Sequence, residues 1–215
     1  MSETLLIETV KIAPGILWAI FALIAFVALR KTILTKLGEA RNIKAAGVEL
    51  TFATRLLDEV AAKADAGKAP SAADRRAAVS RLEHAVDILN GGRILWADDN
   101  PTWNQPLIDL FRQFKMTVDV ARSTPEALPL ARSRGYDLII TDMRRDTEQP
   151  SSNAGITLIN QLREYGVHLP IIVFAASFDP TLGVHPAIFA YTNAADELIH
   201  YVIDVMERVK FGALI

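Results

Sequence analysis

The chain has 215 residues, of which 51% are apolar and 22% charged, with a formal net charge of −2 and no cysteine. Lack of cysteine excludes a disulfide scaffold, a thiolate metal site, an iron–sulfur cluster and a cysteine nucleophile. A pI near 6.1 gives no electrostatic case for nucleic acid, and a mean hydropathy of +0.22 beside ordinary charge content means that the apolar residues are unevenly placed.

The excess begins early. Ile12 to Leu29 is a run of 18 residues without a charge. At 1.5 Å per residue it reaches roughly 27 Å, close to the ~30 Å hydrocarbon core of a bilayer. Pro14 and Gly15 fall in its first turn, and Trp18 lies near the outer interface. A signal peptide would start basic, but residues 1–11 carry Glu3, Glu8 and the single Lys11. The expectation is a transmembrane helix over 12–29 behind a short extracytoplasmic start, 1–11. Arg30, Lys31, Lys36, Arg41 and Lys44 follow the span, which places the remainder in the cytoplasm of a single-pass inner- or plasma-membrane protein.

Residues 30–91 read as a juxtamembrane connector and helical stalk. One helix is expected from about Thr51 to Ala66, stopped by Gly67 and Pro70. Ser71 with Asp74 is a capping pattern for a second helix ending at Asn90, before Gly91-Gly92. Within it Val79, Leu82, Val86 and Leu89 recur at 3-4-3 spacing as an apolar seam. Two uses stay open: packing on another helix of the same chain, or a homodimer seam beside the membrane.

From 92 to 210 short apolar runs alternate with amphipathic segments, before a tail at 211–215. The runs are Ile94–Ala97, Thr117–Ala121, Leu138–Thr141, Ile171–Ala175 and Ile188–Tyr191. Helices are expected near Trp103–Phe114, Pro125–Arg134, Ala154–Tyr165 and Ala194–Val209. Near-continuous apolar strands separated by amphipathic helices mean an α/β domain, its parallel sheet covered on both faces. Such sheets bind ligands at the carboxyl ends of their strands. There the first strand runs into Asp98-Asp99 and the third into Asp142. If those strands are neighbours, three carboxylates converge, and an all-oxygen acidic pocket suits a hard divalent ion such as Mg²⁺. Trp96, Phe111 and Phe114 read as core. Trp103 either shelters the acidic pocket or merely starts a helix. The four histidines match no zinc spacing.

The stretches Ile94–Asn100, Tyr136–Met143 and Leu169–Phe174 resemble the receiver domain of two-component response regulators. That resemblance implies a doubly wound sheet of order 2-1-3-4-5. It implies Asp142 as acceptor of a phosphoryl group from a histidine kinase. It also implies Mg²⁺ held by Asp98, Asp99, Asp142 and the backbone carbonyl of Arg144. Two family features are missing. The position of the switch Thr or Ser falls on Ala175, and that of the conserved Lys on Tyr191-Thr192. Arg144 and Arg145 are candidate substitutes for the lysine's charge. Between Ala175 and Tyr191, Asp179-Pro180, Gly183 and Pro186 discourage a fourth helix.

Three readings are open. The first is a membrane-anchored receiver-like signalling module with a partly degenerate site, acting by protein contact or self-association. The second is a receiver still phosphorylated on Asp142. The third, remote, is a Mg²⁺-dependent phosphate-ester hydrolase, for which no second acid/base and no Gly-rich phosphate loop is evident. No enzyme activity beyond self-phosphorylation from a phosphodonor is expected, and no nucleic-acid partner.

Overall fold

The structure, a computed structural model, describes residues 53–57, 71–175 and 185–212. The expected span at 12–29, most of the first stalk helix and the segment 176–184 lie outside these residues. Among the described residues no helix is long and apolar enough to cross a membrane. The chain divides into two compact units, Met1–Gly47 and Val48–Ile215, and every described residue belongs to the second.

Helix α1 (Ala72–Leu89) starts where the capping pattern places it. The Ser71 hydroxyl accepts the Asp74 N–H at 3.2 Å, and the Asp74 carboxylate accepts the Ser71 N–H at 3.2 Å. This reciprocal pair satisfies two otherwise orphaned donors. Ala78, Leu82, Ala85 and Leu89 form its buried face. They join one core with residues of the chain's last helix, α5 (Ala195–Lys210), among them Leu198, Val202 and Met206. Arg81 pairs with Asp204 and Glu207 across this contact, and Lys210 Nζ donates to the Asp87 and Asn90 carbonyls at the end of α1. The apolar seam therefore finds its partner within the chain. Leu82 and Leu89 are fully buried there, while Val79 and Val86 pack against the same core and stay partly exposed. Burying each leucine is worth roughly 1.5–3 kcal/mol. Ala53, Leu56 and Leu57 pack into the same core.

Five parallel strands follow: β1 (Arg93–Ala97), β2 (Thr117–Ala121), β3 (Leu138–Thr141), β4 (Ile171–Phe174) and β5 (Ile188–Thr192). Their order is β2-β1-β3-β4-β5, as expected. Side chains alternate between two cores. Ile94, Trp96, Leu138, Ile140 and Ile172 face one, while Leu95, Ala97, Ile139, Ile171 and Val173 face the other. Both faces are covered, which is why these strands read as unbroken apolar runs rather than as an alternation. Phe111 and Phe114 are buried, and Trp96 packs against Phe111 and Phe174.

The crossovers carry α2 (Gln105–Gln113), α3 (Thr124–Ser133) and α4 (Ala154–Glu164). Helix α2 starts two residues later than Trp103, because Pro101 to Asn104 form a turn and Asn104 is the N-cap. Pro106 then sits in the first turn, where its missing N–H costs nothing.

Candidate functional site

In the β1–β3 pairing Ala97 stands opposite Thr141, so Asp98 and Asp142 leave the sheet side by side. The Asp142 N–H extends the ladder to the Ala97 carbonyl at 3.0 Å. Reversal of strand order about β1 and β3 opens a crevice at this edge. Oxygens of Asp98, Asp99 and Asp142 all lie within 4.8 Å of one another. They line an open cleft of about 760 Å³, together with Asn100, Trp103, Asn104, Met143, Arg144, Asp146, Ser152, Phe174, Ala175 and Asn193.

Each acid is held in its own way. Asp98 is buried, with one oxygen accepting the Asn100 N–H at 2.9 Å and the other the Asn104 amide at 2.6 Å. Asp99 accepts the Asp146 N–H at 2.7 Å and the Thr147 N–H at 3.4 Å, tying it to the loop beyond β3. Asp142 accepts the Arg144 N–H at 3.3 Å. Burial holds the Asp142 carboxyl above the usual range; the Arg144 N–H offsets part of this, and the Asp98 charge adds to it. A carboxylate disfavoured by burial and by a like-charged neighbour is one that a cation would relieve. The donor set, all oxygen and polyanionic, fits Mg²⁺.

The loop from 143 to 153 shapes the other wall, closing with a 3₁₀ turn at Ser151–Asn153. It passes so close to α4 that a Cβ on Gly155 would stand 2.7 Å from the Asp142 carbonyl oxygen and 3.0 Å from the Met143 Cα. Only glycine permits that approach. Arg144 lines the cleft and pairs with Asp146 at 2.8 Å, both side chains largely exposed. Arg145 does not reach the cleft, contrary to its candidacy as a substitute for the missing lysine. It is wholly buried and bonded inward, though its charge still lowers the Asp142 pKa slightly.

Ala175 lines the cleft at the end of β4, as its alignment with the switch position implies. At the end of β5 the lining residue is Asn193 rather than Tyr191. The Tyr191 hydroxyl donates to the Ala175 carbonyl at 3.0 Å, and burial and the Asp142 charge both raise its pKa. Sequence reasoning missed Asn104, Ser152 and Asn193, polar residues whose place at the cleft comes from tertiary structure alone. Trp103 is 78% exposed, so it edges the cleft without covering it.

Residues 94–189 match the family model described as the response regulator receiver domain. No curated protein matches the chain. Among solved structures, a Francisella response regulator receiver domain is 25% identical, with a TM-score of 0.48, covering 55% of this chain and 99% of its own. A Thermotoga maritima response regulator, TrrA, solved in complex with Mg²⁺ and BeF, is 24% identical, with a TM-score of 0.46, covering 53% and 98%. A signal receiver domain from Vibrio parahaemolyticus is 15% identical, covers 58% and 96%, and its TM-score of 0.50 speaks for a shared fold. Strand order and sequence match agree on a receiver fold for this part of the chain, residues 94–189.

Proposed function

We propose that this chain is a membrane-tethered receiver module that binds Mg²⁺ and accepts a phosphoryl group on Asp142. The observation that carries the proposal is the convergence of the Asp98, Asp99 and Asp142 oxygens within 4.8 Å. Asp98, Asp99 and Asp142 would hold the cation, with the Arg144 carbonyl as a fourth ligand. The cation's contribution is to neutralise charge on the incoming phosphoryl group. Asp142 is the nucleophile: one carboxylate oxygen forms the new O–P bond while the bond from phosphorus to the donor breaks. The electron pair leaves with the donor group, as acetate when acetyl phosphate is used. The Asn104 amide and the Asn100 N–H hold one Asp98 oxygen each, so that acid is oriented before the donor arrives.

The readout would run neither through a hydroxyl at 175 nor through a lysine at the end of β5, since alanine and asparagine line those points. Partners would be a histidine kinase on the input side and a signalling protein reached by direct contact on the output side. The run of 18 uncharged residues from Ile12 to Leu29 supports the tether.

One experiment covers both parts. The full chain is mixed with lipid vesicles, Mg²⁺ and acetyl phosphate, the vesicles are sedimented, and the intact mass of the protein is read. The expectation is recovery in the pellet as a species about 80 Da heavier, absent in Asp142→Asn. Protein left in the supernatant contradicts the tether, and an unmodified mass contradicts the acceptor.

A further inference from the structure

Arg145 is fully buried within a structure whose other charged side chains mostly reach water. Such a side chain is tolerated when its donors are matched. Nη2 donates to the Thr124 hydroxyl and to the Ala154 carbonyl, both at 2.8 Å. Nη1 donates to the Thr141 hydroxyl at 2.8 Å and to the Asp142 carbonyl at 3.2 Å. Nε pairs with Glu148, which also accepts the Thr124 N–H at 2.9 Å. One guanidinium thus joins the end of β3, the first turn of α3, the start of α4 and the loop between them. The planar fork suits this task as no ammonium would.

The backbone of Arg145 does a second job. Its N–H donates to the Ser151 carbonyl at 3.1 Å, fixing the peptide that joins it to Arg144. That peptide carries the Arg144 carbonyl. Immediately beyond, the Asp146 and Thr147 N–H groups reach Asp99. Two of the four groups assigned to the cation are therefore set by the loop that Arg145 anchors.

We propose that Arg145 is the positioning residue of the cation site. It touches no cation and holds residues 144–147 so that the Arg144 carbonyl and the Asp99 carboxylate are set in advance. The inference rests on the Mg²⁺ site proposed above. Removing an outer partner of this kind weakens metal binding about 10–100-fold.

Two variants of the full chain test it. Arg145→Lys keeps a positive charge beside Glu148 but replaces three nitrogens by one. The double variant Arg145→Met, Glu148→Gln removes both charges together, so no buried ion is left alone. Mg²⁺ is titrated against the fluorescence of Trp103 at the cleft, and unfolding midpoints are measured in EDTA. The expected result is a Kd raised about 10-fold or more in the double variant and by less in the lysine variant. Both should still unfold cooperatively without metal, which a purely structural role would pair with an unchanged Kd. If the double variant fails to fold, the lysine variant decides. An unchanged Kd in a cooperatively folded variant overturns this proposal and leaves the cation site standing. A wild-type chain that does not bind Mg²⁺ overturns both.

Discussion

Asp142 is caught between opposing demands. In the proposed role of nucleophile it must be ionised, yet burial and the neighbouring Asp98 charge both favour its protonated form. A carboxyl whose pKa rises on folding favours the native state while protonated, and that contribution is lost as pH rises through the raised value. In EDTA at pH 7, Asp142→Asn is therefore expected to melt above the wild type. The gap should narrow on acidification and close once Asp142 is protonated. Mg²⁺ should raise the wild-type midpoint while leaving that of the variant nearly unmoved. A variant that melts below the wild type in EDTA at pH 7 would contradict this account of the site. The cost accepted at Asp142 is the kind of local destabilisation that functional sites carry.

At the scale of elements, strands and helices were largely legible, because a sheet buried on both faces leaves apolar runs that need no partner to be read. Thr117–Ala121 and Leu138–Thr141 appear with the expected bounds. The acid trio was legible too, since residues that follow the first and third strands must share an edge in the order 2-1-3. The loop was not. Asn104 and Asn193 look like ordinary surface polar residues until the fold brings them to the cleft, and Arg145 reads as a charge for that cleft until Thr124 and Ala154 take it inward. Gly155 likewise gives no local sign that the Asp142 carbonyl passes beside it. The α1 seam was legible as an apolar stripe but not as to its partner, which α5 supplies. Leu82→Ala is accordingly expected to cost about 2–5 kcal/mol in denaturant unfolding of the chain. If the stripe served a second copy instead, the substitution would abolish dimers and leave the unfolding midpoint in place.

For the molecule as a whole, α1 and residues 53–57 extend the core of the α/β domain, so the described part of the expected stalk is structurally continuous with that domain. Both pack on the side of the sheet that also holds Trp96 and Phe111. The site itself lies at the carboxyl edge, among loops that can change without disturbing either core. Everything assigned to that edge depends on a divalent cation sitting among three carboxylates. Calorimetric titration of the full chain with Mg²⁺, beside Asp98→Asn, tests this most directly. The account predicts saturable binding of a single Mg²⁺ per chain, with binding lost or strongly weakened in the variant. Equal binding by the two proteins, or none by either, would contradict it.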